Sequence, residues 1–312
     1  MTGSPKQEAK KRIEKLREEI NKYRYAYHVL NKSLISDAAL DSLKKELFDL
    51  EQQYPEFVTP DSPTQRIGGE PLKQFKKVRH EAPMLSFNDA FSEEDLRDWF
   101  KRLENYIGRK VNQEFYCELK LDGLAIELVY ENGLLIQGST RGDGLVGEDV
   151  TANLKTIEAI PLKIEVLKRL VVRGEVFLTK KEFERINKEQ EKKREKIYAN
   201  PRNIAAGSIR QLDPKITASR KLDSYQYEIV SDLGIKNHSD KHEKLHKFGF
   251  KTNPHNEVAK GIDGVLKFHK YWSEHREKLP YEIDGIVVIV NDNKDFEGGG
   301  RGWKSAAGGD CF

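Results

Sequence analysis

The sequence predicts an α+β protein, a mixed and largely antiparallel sheet core preceded by a small helical domain. Three observations predict it. Apolar residues at alternating steps of three and four are concentrated at the start of the chain. Short alternating or wholly apolar segments bounded by turn residues dominate beyond about residue 70. Helical stretches interrupt those segments irregularly, unlike a regular βαβ series.

Ser4-Pro5-Lys6-Gln7 reads as a capping box with Pro at the first helical position, so a helix starts there. Ile13, Leu16, Ile20, Tyr23, Tyr27 and Leu30 then form one apolar stripe. Ser36 can cap a second helix from about Asp37 to Gln53, with Leu40, Leu43, Leu47 and Leu50 facing the first. Tyr54-Pro55 ends it, and TPDSPTQRIGGEP has the composition of a linker. These features divide the chain into residues 1–69 and 70–312. In the second part FYCELKL, AIELVY, LLIQGSTR, RLVVRGEVFL, SYQYEIV and IDGIVVIVN read as strands. Asn132-Gly133 between two of them is a hairpin signal, which makes at least part of the sheet antiparallel. Helices are expected near 93–106, 179–194 and 264–278. The charge run from Lys188 to Lys196 reads as a solvated helix face.

Composition narrows the function. The 312 residues hold 37% hydrophobic and 34% charged residues, and no apolar run approaches the roughly 20 residues that span a bilayer. We therefore expect no membrane association, and with no apolar stretch at the start, a cytoplasmic location. A net charge of +3 does not by itself reveal nucleic-acid binding. Cys117 and Cys311 are the only cysteines, too few for a disulfide framework or a four-cysteine zinc site. Oxygen ligands are the expectation for any metal.

The chemistry-bearing segments begin with Glu118-Leu119-Lys120-Leu121-Asp122-Gly123. Its charged residues fall at every second strand position, so two acids should flank one amine on a single face. Alone this is a weak signal, since an alternating salt-bridged face also explains it. Thr140-Arg141-Gly142-Asp143-Gly144 is a glycine-rich loop whose arginine can fork onto phosphate or ribose oxygens, or simply a hairpin turn. Glu175 interrupts an apolar strand and is costly to bury without a partner. Arg202 and Arg210 lie at i and i+8, close to one helix face. Glu282 to Asn291 is an apolar strand that could be core alone.

In this order the segments closely resemble the nucleotidyltransferase core of NAD-dependent bacterial DNA ligases. The matching stretches are DSPTQRIGG at 61–69, PMLSFNDAF at 83–91, ELKLDG at 118–123, TRGDGLVGED at 140–149, VRGE at 172–175 and NPRNIAAGSIRQLDP at 200–214. The resemblance implies an ATP-grasp-like DNA ligase core in which Lys120 forms a phosphoamide with AMP and Asp122 orients it. It assigns Glu118 to adenine, Arg141 and Glu175 to the ribose, and Ser86 with Phe87 to the adenosine pocket. Arg202 and Arg210 would lie near phosphate or DNA. The helical pair resembles the family's domain for the nicotinamide mononucleotide half of NAD, with Tyr27, His28, Asp37 and Asp41 reading it. NAD and Mg²⁺ are the implied cofactors, and nicked double-stranded DNA in replication and repair is the implied partner of a full-length enzyme. A free lysine is neutral only about once in a few thousand at pH 7, so the site must favour deprotonation, and a nearby cation would do so.

The chain departs from the family pattern in three places. Leu40 stands where a tyrosine is usual. Ile289 replaces a phosphate-contacting lysine of the strand DGVVIKVN. Residues 297–312, EGGGRGWKSAAGGDCF, replace a segment with a second strand lysine and read as a poor final strand, as a shifted reading frame would produce. The family's oligonucleotide-binding, zinc, helix-hairpin-helix and terminal domains are not among these 312 residues. Two other readings stay open: another lysine-adenylate enzyme, such as an ATP-dependent ligase or capping transferase, and a non-catalytic remnant that binds nucleotide or DNA.

Overall fold

The computed structural model describes residues 4–67, 71–84, 88–90, 92–108, 114–298 and 310–311. Helix α1 (Pro5–His28) opens with the expected capping box, Ser4 accepting from the Gln7 amide and Gln7 reaching back. Helix α2 (Asp37–Gln53) is capped by Ser36. Their apolar stripes meet around Ile13, Leu16, Ile20 and Leu47, with Leu40, Leu43, Leu50 and Phe57 packed alongside. Leu40 therefore spends its side chain on this small core. The stripe of α1 does not stay buried to its end, because Tyr27 and Leu30 are exposed.

The helical pair docks through arginines. Arg66 donates to the Lys155, Ile157 and Ile160 carbonyls at 3.0–3.1 Å, and Arg24 donates to the Glu158 carbonyl. The Glu158 side chain answers Lys44 at 3.6 Å and Arg66 at 3.4 Å.

The rest is two sheets and a ribbon. The ribbon pairs β1 (Lys77–Arg79) with β6 (Val146–Glu148). One sheet has the order β5 (Leu134–Thr140), β4 (Leu124–Glu131), β7 (Leu170–Phe177) and β8 (Asp223–Ile229), antiparallel throughout. The other has the order β2 (Asn88–Asp89), β11 (Asp310–Cys311), β10 (Ile283–Val290), β3 (Glu114–Leu121) and β9 (Glu257–Lys260). Only the β2–β11 pair in it is parallel. Asp310 and Cys311 thus supply a short strand from a tail that the sequence marked as foreign to the fold.

Asn132 and Gly133 join β4 to β5 with φ of 50° and 79°, both positive as the tight hairpin turn requires. Helices α3 (Glu93–Ile107) and α9 (Gly261–His275) cover the outer face of the five-stranded sheet. Helices α4 (Thr151–Lys155), α5 (Lys180–Lys193), α6 (Pro201–Ile209) and α8 (His238–Lys247) each give at least one side chain to the core on one face of the four-stranded sheet. Helices α7 (Pro214–Ser219) and α10 (Asn293–Gly298) are short.

Alternation then decides what the uncovered faces show. On β3, Phe115, Cys117 and Leu119 enter the core, so Tyr116, Glu118 and Lys120 face the other way. On β7, Leu170, Val172 and Val176 enter the other core, which leaves Arg173 and Glu175 on the opposite face. Among the described residues, no helix is long and apolar enough to cross a membrane.

Candidate active site

Lys120 is the penultimate residue of β3, and Asp122 lies one step past the strand in the turn to β4. That turn is tight against β7. A Cβ on Gly123 would stand 2.3 Å from the Val176 carbonyl oxygen, so only glycine lets the turn approach the strand that carries Glu175. Lys120 Nζ lies 3.1 Å from Asp284 Oδ2 on β10. Arg202, at the start of α6, holds two carboxylates at once, 3.6 Å from Asp122 Oδ1 and 3.7 Å from Asp284 Oδ2. Burial and the charge of Asp284 push the Asp122 carboxyl above its ordinary value, against the pull of Arg202. Glu175 keeps some exposed surface, but protein surrounds it and burial pushes its carboxyl up to about 8, against the opposing charges of Arg202, Lys120 and Arg141.

This differs from the arrangement read from the spacing. Glu118 and Lys120 do share a face, but Glu118 does not flank the amine as an ion partner. It is buried and points at two histidines of α8, with Oε1 3.0 Å from His238 Nε2 and 2.7 Å from His242 Nε2. The acid paired with Lys120 is Asp284, on the apolar strand for which the sequence leaves core alone as an alternative. Burial pushes the Glu118 carboxyl up, but the imidazoles outweigh it and hold it at about 2. Burial pushes His238 down. His238 Nε2 and Glu118 Oε1 form a buried hydrogen bond at 3.0 Å.

Arg141 is exposed in the glycine-rich loop. Gly142 there has φ 56°, and a Cβ on it would meet the Val146 carbonyl at 1.9 Å. Asp143 closes the loop by accepting from the Leu145 and Val146 amides at 2.9 and 2.7 Å. A buried network seats it from below. His80 stands 3.0 Å from both Glu127 Oε1 and the Arg141 carbonyl, and Arg173 donates twice to Glu127 Oε2 at 3.0 and 2.9 Å. Sequence reading missed this network. The Glu127–Arg173 part was accessible in principle, because two charges interrupt otherwise apolar strands.

Other residues lie apart from Lys120. Arg210 follows α6 and pairs with Glu148 at 2.7 Å, so it does not join Arg202. Burial pushes the His28 imidazole down to about 4, and the charges it feels are Glu158, Arg24, Asp223 and Lys251. Tyr27 meets His28 edge to face at 4.9 Å and is exposed, as are Asp37 and Asp41. None of the contacts among the described residues ties these four to Lys120, Asp122 or Glu175. Ser86 and Phe87 lie outside the described residues.

The family profile of the NAD-dependent DNA ligase adenylation domain matches residues 72–300, and that of the DNA ligase-like N-terminal NAD⁺-binding domain matches residues 6–68. The chain belongs to the NAD-dependent DNA ligase adenylation family. Curated relatives named DNA ligase agree with this. One from Anoxybacillus flavithermus is 49% identical over 293 residues, covering 93% of this chain and 43% of the relative. One from Carboxydothermus hydrogenoformans is 50% identical over 290 residues, with 92% and 43% covered. A third, from a Thermoanaerobacter species, is 51% identical over 285 residues, with 91% and 43% covered. The chain thus spans less than half the length of these ligases and contains their NAD⁺-binding and adenylation part.

Proposed function

We propose that this chain performs the first half-reaction of an NAD-dependent DNA ligase, transferring AMP from NAD to Lys120. The observation that carries the reading is Lys120 itself. It is a partly exposed amine at the end of a strand, beside Asp284 and Arg202, within the electrostatic reach of Asp122 and Glu175. In the reaction the Lys120 nitrogen forms a bond to the α-phosphorus of NAD, and the bond from that phosphorus to the bridging oxygen breaks. Nicotinamide mononucleotide leaves with the oxygen, and the amine proton is lost to solvent.

Each neighbour has a part. Asp284 positions the amine, and Arg202 draws off negative charge that would otherwise hold the lysine proton. A protonated Glu175 can donate to a ribose hydroxyl, and Arg141 can reach the same sugar from its seated loop. Tyr27, His28, Asp37 and Asp41 belong to the domain we assign to the nicotinamide half, and Ser86 and Phe87 to the adenosine pocket. The oxygen donors Asp122 and Asp284 suit a hard cation, and Mg²⁺ held there would neutralise phosphate charge. In the complete enzyme, whose partner is nicked DNA in the cytoplasm, AMP passes on to a 5′-phosphate at the nick.

Incubation with NAD and Mg²⁺ followed by peptide mass spectrometry tests this. The AMP adduct is expected on Lys120 and absent from Lys120→Arg, whose guanidinium keeps the charge but offers no neutral amine. An adduct on another residue would refute the assignment. One observation favours the non-catalytic reading instead. Ile289 pairs across the sheet with Tyr116, on the face that Lys120 shares, where a lysine would serve the phosphates.

A further inference from the structure

Glu118, His238 and His242 meet between β3 and α8, and each is more than nine-tenths buried. His238 and His242 are one helical turn apart, so their rings leave the same face of α8. Both Nε2 atoms approach the same Glu118 oxygen, and the three polar atoms lie within 4.8 Å of one another. His238 makes a hydrogen bond of good geometry with that oxygen. His242 does not. Its Nε2 comes within 2.7 Å of Oε1 but out of line for donation, and neither of its ring nitrogens has a hydrogen-bond partner. An imidazole buried without a hydrogen bond calls for a physical explanation, and an ion is one.

We propose that Glu118, His238 and His242 form a binding site for a divalent transition metal of the Zn²⁺ class. Two imidazole nitrogens and a carboxylate oxygen are a donor set such ions favour, with a fourth position left to water. Ligands about 2.0–2.1 Å from a tetrahedral ion stand roughly 3.3 Å apart. The present separations of 3.0 and 2.7 Å from Oε1 need to open by only about half an ångström, which side-chain rotation supplies. A cleft of about 430 Å³ lined by Tyr116, Ser239, His242 and Glu243 gives an ion a route to His242. A bound ion would tie β3 to α8 two residues before Lys120. The proposal rests on this geometry and not on the adenylation reading: the ion takes Glu118 Oε1, which leaves Oε2 for the adenine contact that the resemblance assigns to this residue, so either can fail alone.

The test is Co²⁺ titration of the chelator-treated chain, followed by visible absorption, with Zn²⁺ as competitor. We expect one Co²⁺ per chain with the spectrum of a low-coordinate site, displaced by an equivalent of Zn²⁺. His238→Gln and His242→Leu should each weaken binding by more than about 100-fold, since even residues that merely orient ligands cost 10–100-fold. His255→Ala, exposed before β9 and outside the lining of that cleft, should change nothing. Circular dichroism checks that the variants fold, and His242→Gln serves if leucine is not tolerated there. Zn²⁺ should also raise the melting temperature of the parent chain and not of the variants. Absence of a stoichiometric Co²⁺ spectrum, or binding that survives both substitutions, would overturn the proposal.

Discussion

Replacing Glu175 with glutamine separates what this side chain does for the site from what it costs the fold. Burial raises its carboxyl from the ordinary 4.5 to about 8. Between those values the folded chain holds a proton that the unfolded chain has released, so rising pH favours unfolding. The rise corresponds to roughly 5 kcal/mol at ~1.4 kcal/mol per pH unit. Solvent at the cleft screens part of this, and we expect ~2 kcal/mol of stability to be lost from pH 5 to pH 9 through this one group. Glu175→Gln has a similar shape and no proton to lose. The variant should match the parent chain near pH 5 and be the more stable by ~2 kcal/mol at pH 9, with the curves parting between the two pKa values and levelling off above the folded one. Urea unfolding followed by tryptophan fluorescence at half-unit pH steps measures it. Parallel curves across the range would show that Glu175 ionises freely and that the cleft does not hold it neutral.

Two more outcomes follow from the same faces. Arg173→Met removes both donors from Glu127, which is 1% exposed, and leaves a buried carboxylate with His80 alone. Breaking such a pair costs about 3–5 kcal/mol, so a loss below 1 kcal/mol in urea unfolding would refute the network's structural role. Ile289→Lys should speed Lys120 adenylation at least tenfold with little change in NAD affinity, since one preorganised donor is commonly worth about 10²–10³ in rate. Calorimetry and adduct mass spectrometry together check this, and an unchanged rate would mean that the phosphate charge is met elsewhere.

The elements themselves were legible in the sequence because local signals agreed with the fold. Ser4 and Ser36 cap the helices they were expected to cap, and the interrupting helices lie close to where spacing put them. The faces of β3 and β7 followed from alternation alone. What alternation could not give is which side chain of another strand stands opposite. Asp284 meets Lys120 across a separation of 164 residues, and nothing local to either residue announces the pair. Strand order put β10 beside β3, and the register Gly285 to Lys120 brought Asp284 alongside.

The two histidines show a different limit. His238 and His242 carried a helical spacing that was visible in the sequence, yet that spacing acquires meaning only when α8 packs over the face that holds Glu118. Had Glu118 stood beside the amine, its charge would have stabilised the protonated lysine and opposed the attack on phosphorus. Held by His238 and His242, it is withdrawn from that role, and the acid left to pair with Lys120 is Asp284, which Arg202 also engages. Asp284 brings the same charge to the amine at 3.1 Å, and Arg202, 3.7 Å from that carboxylate, offsets part of it.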